Sequence, residues 1–252
     1  MLKVDSLRCK RQGKLILKGI SCEVQEGDFI VIVGHNGTGK STFFDALNGR
    51  CLPSSGTITL NNVDITHMNA VQRAPFIAQL FQNPKFNSVG SMTVAQNLAL
   101  CAQKGRSARF VNGLSALPTE LISSTLTKLM PDIQSLLTTP MESLSGGQRQ
   151  LIAFFMTTYV PPKLLLLDEP TAALDPQAAT KLLQFAYDHI QKNRITTMLI
   201  THDPELAFAL ATKIWVLDKG LIVKQFDKQQ MSRLSAEDLV GSIDYKSLGK
   251  IS

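Results

Sequence analysis

The chain has 252 residues, 44% of them hydrophobic, and carries 26 Lys and Arg against 20 Asp and Glu for a net charge of +6. That length and apolar content allow a large core, and the basic residues are spread along the chain rather than gathered in a run, so no nucleic acid partner is expected. Cys9, Cys22, Cys51 and Cys101 form no CxxC pair, which argues against a zinc site or a disulfide framework and suits a reducing compartment.

The opening, MLKVDSLRCK, lacks the apolar stretch of a secretory signal, and no segment reaches the roughly 18 uninterrupted apolar residues of a membrane span. Any membrane role is expected to be borrowed from a partner. Residues 15–17, 28–33 and 57–60 are apolar runs punctuated by Gly, Asn and Asp, and read as strands. Residues 29–33 are almost wholly apolar and β-branched, the character of a parallel strand buried on both faces; residues 164–167 and 197–200 repeat it. Strands of this kind, each followed by a candidate helix, predict an open α/β sheet.

Between residues 84 and 159 the pattern changes to helices over 93–102, 121–130 and 148–158, with a loop over 105–118, which predicts an inserted helical lobe. Residues 213–217 and 221–225 flank Asp218-Lys219-Gly220, a hairpin signal. The expected organisation is one module: residues 1–83 and 159–227 as a core with a β subdomain, 84–158 as a helical subdomain, and 228–252 as a C-terminal appendage.

Gly34-His35-Asn36-Gly37-Thr38-Gly39-Lys40-Ser41-Thr42 matches GxxxxGK[ST] directly after a buried strand and before a helical stretch, the context the motif requires. Its glycines let main-chain N–H groups curl around phosphates, and the helix start adds a favourable dipole. Lys40 is expected to reach the β- and γ-phosphates, and Ser41 to offer its hydroxyl to Mg2+. Residues 164–167 run into Asp168-Glu169, so a buried strand delivers two carboxylates to the ligand-binding edge of the sheet. Asp168 is expected to hold the metal shell and Glu169 to polarise an attacking water. Asp175-Pro176 and Asp203-Pro204 read as helix starts with Asp at N-cap and Pro at N1.

Leu144-Ser145-Gly146-Gly147-Gln148 opens a second helix with a phosphate-friendly start but no nucleotide loop of its own. Its economical use is to cap the nucleotide held by a second copy, which predicts a two-fold homodimer.

Together these residues resemble the ATP-binding subunits of ABC transporters across nearly the full length. GHNGTGKST resembles the Walker A motif, LFQNP with Gln82 the Q-loop, LSGGQRQ the signature motif, LLLLDEPTAALD the Walker B motif with the D-loop, and TMLITHD the switch-histidine loop. The resemblance implies a P-loop NTPase fold: a RecA-like core with an antiparallel β subdomain, plus a helical signature subdomain. It also implies ATP held between residues 34–42 of one subunit and 144–148 of the other. By it, Glu169 is the catalytic base, His202 positions the γ-phosphate and water, Gln82 senses Mg2+ and couples to a permease, and Asp175 communicates across the dimer.

The family places an aromatic residue for adenine stacking where this sequence has Lys10-Arg11-Gln12. The Arg11 guanidinium is the planar group available there, and weaker base preference is expected. More narrowly, FIVIVGHNGTGKST, RAPFIAQLFQNP and MTVAQNLAL resemble bacterial uptake ATPases paired with branched-chain-amino-acid-type permeases. That implies import of an amino acid or similar solute, integral-membrane permease subunits, a solute-binding protein, and a peripheral cytoplasmic location. Residues 83–97, with Phe86, Val89 and Met92, form the expected permease-docking segment. The rival reading is a non-transport ABC ATPase acting on nucleic acid, ribosomes or the division machinery.

Overall fold

The computed structural model describes residues 1–102, 122, 126, 127, 130–172, 174–235, 237–239 and 241. In chain order its elements are β1 (Leu2–Arg11), β2 (Lys14–Val24), β3 (Phe29–Val33), α1 (Lys40–Leu47), β4 (Ser55–Leu60), β5 (Val63–Asp64), α2 (Ala70–Arg73), β6 (Ile77–Leu80) and α3 (Val94–Ala102). There follow α4 (Ile133–Leu136), α5 (Gly146–Thr158), β7 (Leu164–Asp168), α6 (Pro176–Asn193), β8 (Thr196–Ile200), α7 (Pro204–Leu210), β9 (Lys213–Asp218), β10 (Leu221–Asp227) and α8 (Lys228–Met231). The loop expected over 105–118 lies outside the described residues, as does most of the helix expected over 121–130.

The chain divides into two compact units. The first comprises Met1–Ile77, Lys163–Glu169 and the residues from Arg194 onward; the second comprises Ala78–Pro162 and Pro170–Asn193.

In the first unit β3 pairs in parallel with β8 on one side and β9 on the other, β8 pairs in parallel with β7, and β10 closes an antiparallel hairpin on β9. All five residues of β3 and of β8 are buried, which is why β3 is a continuous apolar run and β8 runs from two buried threonines into Met198, Leu199 and Ile200 without alternating. The β9–β10 turn places Lys219 and Gly220 at positive φ of 47° and 81°, the backbone of a tight hairpin whose twist matches its strands.

A separate antiparallel sheet runs β2-β1-β4-β5. Strand β1 was not legible as an alternating pattern. Its inward residues are Leu2 and Val4, then Leu7 and Cys9, so the parity flips midway. The flip coincides with Ser6 at φ 49° and register shifts against both neighbours, a bulge that puts an extra residue in the strand and re-aims its second half.

Phe43, Phe44, Ala46 and Leu47 of α1 sink into the apolar cluster that also holds Ile30, Ile32, Leu166, Met198 and Trp215. Helix α1 ends on a buried cation. Arg73, with no exposed surface, donates to the carbonyls of Ala46 at 2.6 Å and Leu47 at 2.8 Å, and to those of Met68 and Thr66. A guanidinium at a helix C-terminus meets the negative end of the dipole, and four carbonyl acceptors offset its desolvation.

The second unit is mainly helical. Leu151, Phe154 and Phe155 of α5 are buried, and Phe154 meets Phe185 of α6 edge to face at 5.6 Å between ring centroids. Here Gln150, almost fully buried, donates to the carbonyls of Phe81 and Pro170 and ties three separate stretches of this unit together.

Candidate nucleotide site

In the first unit the loop after β3 is shaped by backbone that tolerates no side chain. Gly34 has φ 154°, and a Cβ there would lie 2.2 Å from the Leu217 carbonyl oxygen, so only glycine lets the loop pass β9. Helix α1 then starts at Gly39, in the left-handed region with φ 108° and no side-chain cap on its opening amides. A helix start left in this state presents N–H donors and positive dipole to an anion. The loop is pinned by the Gly220 N–H, which donates to the Thr38 carbonyl at 2.9 Å, and by the Thr38 hydroxyl, which donates to the His35 carbonyl.

Lys40 is 6% exposed and donates to the carbonyls of Gly34 at 2.7 Å and His35 at 3.0 Å. It thus folds back over the loop it helps to form. Burial pushes its pKa down, while the charges of Glu169 and Asp168 oppose that shift. Ser41, the next residue, is exposed.

The acidic end of β7 belongs to the same unit. Asp168 pairs in register with Ile200 of β8, and the Glu169 N–H continues the ladder by donating to the Ile200 carbonyl at 3.0 Å. Glu169 sits at φ 45°, a costly backbone for a non-glycine residue immediately before proline. That backbone turns its carboxylate to His202, whose Nε2 donates to Oε1 at 2.8 Å. The turn that carries His202 is set by the Thr201 hydroxyl, which accepts from the Asp203 N–H, and by Asp203, which caps α7 by accepting from the Leu206 N–H. Burial first, then the charges of Glu169 and Asp45, push Asp168 up to about 6, against the pull of Lys40.

Two crowded carboxylates facing one buried ammonium call for further positive charge. Among the described residues no cluster of three His, Cys, Asp or Glu side chains is placed to hold a metal. A cation here would draw ligands from a hydroxyl, a carboxylate, phosphate oxygens and water, a hard-oxygen set that suits Mg2+.

Near this site Arg11 of β1 bonds Asp45 of α1 at 3.0 Å, so the guanidinium at the expected base-stacking position is tethered to the helix that starts at the phosphate loop.

Three expected groups lie in the second unit. Gln82 is exposed at the bend after β6. Asp175 accepts from the Ala178 N–H at 3.0 Å, the expected cap of α6. Leu144 is buried, and Ser145 opens α5 with a reciprocal cap: its hydroxyl accepts from the Gln148 N–H, and the Gln148 side chain accepts from the Ser145 N–H. Arg149 secures the approach by donating to the carbonyls of Met141, Glu142 and Leu144.

Sequence reading missed Arg73 and Arg149, since an arginine that satisfies carbonyls has no motif. It also missed two asparagines. Asn87 bonds Phe81 N–H and the Gln79 carbonyl, and buried Asn97 bonds the main chain of Val89, Met92 and Thr93. Around these asparagines the chain displays Phe86, Val89 and Met92, all exposed.

A family model described as ABC transporter matches residues 17–172. The chain belongs to the ABC transporter family. It is 32% identical over 230 residues, 91% of either chain, to a tyrosine transport ATP-binding protein of Clostridioides difficile (strain R20291). Among solved structures it resembles the dimeric post-hydrolysis ATP-binding cassette MJ0796 bound to ADP and Pi, with TM-score 0.75 and 25% identity, covering 90% of this chain and 98% of that one. It also resembles cbiO1 of Clostridium perfringens, part of the ABC transporter complex cbiONQ, with TM-score 0.73 and 27% identity over 97% and 94% of the two chains.

This ABC chain is therefore an ATP-binding ATPase with the P-loop NTPase fold. Among its described residues no helix is long and apolar enough to cross a membrane.

Proposed function

We propose that this chain is the ATP-hydrolysing subunit of an importer for an amino acid or a solute of similar size. In this reading it works as a homodimer, peripheral on the cytoplasmic face of the membrane, beneath separate permease subunits served by a solute-binding protein. The observation that carries the reading is the Glu169–His202 contact of 2.8 Å, at the sheet edge where the buried Lys40 feels the charge of both acids. The tyrosine transport relative and the transporter membership of cbiO1 support transport, and the MJ0796 dimer supports pairing.

In this assignment the amides and Lys40 of residues 34–42 bind the triphosphate, and Ser41 and Asp168 hold Mg2+, which neutralises charge on the transferring phosphoryl group. Glu169 accepts the proton of the attacking water, and His202, hydrogen-bonded to it, keeps that carboxylate aimed. Gln82 acts as metal sensor and Asp175 as dimer contact. Residues 144–148 of a second copy bring the α5 start to the γ-phosphate. Permease docking falls to residues 83–97, where Phe86, Val89 and Met92 stand exposed ahead of α3 on main chain braced by Asn87 and Asn97.

Replacing the base tests the core of this assignment. Glu169→Gln keeps ATP binding and slows turnover by roughly 10²–10⁴-fold, read by steady-state hydrolysis beside equilibrium binding; undiminished turnover would refute the role given to Glu169.

A further inference from the structure

Gln150 puts an amide where its neighbours on α5 are hydrocarbon. It is 1% exposed, and Leu151, Ile152, Ala153, Phe154 and Phe155 after it are all buried. Its Nε2 donates to the Phe81 carbonyl at 3.2 Å and to the Pro170 carbonyl at 3.1 Å, one hydrogen to each. Its Oε1 is buried as well and has no hydrogen-bond partner among the described residues. An acceptor left alone in the interior is destabilising, so a side chain kept there only to fill space would be apolar. What the position retains is the pair of donors.

Both carbonyls adjoin residues of the assigned site: Pro170 is joined to Glu169, and Phe81 to Gln82. Glu169 holds a left-handed backbone with φ 45°, a conformation that persists only where the surrounding chain is firmly fixed. On the near side its own N–H is tied to the Ile200 carbonyl, and on the far side Gln150 ties the Pro170 carbonyl. Phe81 is likewise held twice, because its N–H donates to Asn87 Oδ1 at 2.9 Å while its carbonyl accepts from Gln150.

We propose that Gln150 is a positioning residue for ATP hydrolysis, one amide that fixes the main chain carrying both Glu169 and Gln82. It is itself buried and acts only through the carbonyls of Pro170 and Phe81. The inference rests on the roles proposed above for Glu169 and Gln82.

Gln150→Met in the intact chain keeps the volume and removes both donors. Its kcat in steady-state hydrolysis should fall by roughly 10–10²-fold, while ATP affinity by calorimetric titration stays unchanged. Gln150→Glu, whose buried carboxyl stays protonated and keeps one donor, should recover part of that loss, and it carries the test if Gln150→Met does not fold. In single turnovers Glu169→Gln combined with Gln150→Met should lose less than the product of the two separate losses, because both act on one carboxylate. Undiminished kcat in Gln150→Met, a loss seen in ATP affinity rather than kcat, or losses that multiply would each overturn the proposal. A slow Glu169→Gln beside a fully active Gln150→Met would sink this inference alone, whereas a fully active Glu169→Gln would sink the assignment of the base and this inference with it.

Discussion

Helices α1 and α5 both begin with glycine-rich turns, but they finish their starts in opposite ways. Helix α1 opens on Gly39 with no side-chain cap, and its arginine, Arg73, clamps the far end. Helix α5 opens on Ser145 with a closed capping box, and its arginine, Arg149, clamps the approach. The first start is incomplete until an anion arrives. The second is self-sufficient and is free to meet a phosphate held elsewhere, which is what a shared site between two copies requires.

The sharpest way to break this contrast is at the open start. Lys40→Ala removes the ammonium folded over the loop and should cut turnover by roughly 10²–10³-fold with weakened ATP binding, measured by hydrolysis and calorimetric titration; an active variant would remove the phosphate role from this loop. The clamp at the other end of α1 comes next. Arg73→Met leaves four buried carbonyls without their donor and should cost about 3 kcal/mol of stability, read by denaturant unfolding, with partial recovery in Arg73→Lys.

A pH series follows. Because Asp168 is raised to about 6 by burial and by its acidic neighbours, the nucleotide-free protein favours the protonated form. Its contribution to stability is present at low pH and is lost as pH rises from about 4 through 6. If Asp168 holds Mg2+ as proposed, Mg2+-dependent nucleotide binding needs its carboxylate and should weaken by up to about tenfold per pH unit below 6; a flat profile down to pH 5 would detach Asp168 from the metal. Smallest is Ser145→Ala, which opens the capping box of α5. It should cost about 1 kcal/mol in unfolding and leave ATP affinity of the isolated chain unchanged, and a large loss of that affinity would contradict the division of labour.

The chemistry-bearing edges were legible because they combine two signals: a continuous apolar strand and an abrupt change to Gly, Asp or His at its carboxyl end. That was enough to single out residues 34–42, Asp168 and Glu169 at strand ends before any coordinate; His202 came from the resemblance of TMLITHD to the switch-histidine loop. Strand β1 escaped because the bulge at Ser6 flips its inward parity between Val4 and Leu7, which hides a period of two. The braces escaped for a different reason. Arg73, Arg149, Asn87 and Asn97 act on main-chain carbonyls and amides brought near by folding, and a backbone partner leaves no trace in the sequence. For the same reason the grouping of Pro170–Asn193 with Ala78–Pro162 follows packing rather than chain order.

The shared site is tested most directly by light scattering on Glu169→Gln with and without Mg-ATP. The account predicts a monomer that becomes a stable dimer on adding Mg-ATP and stays a monomer when Ser145→Arg is added; a persistent monomer in Mg-ATP, or a dimer that forms equally well without nucleotide, would contradict it.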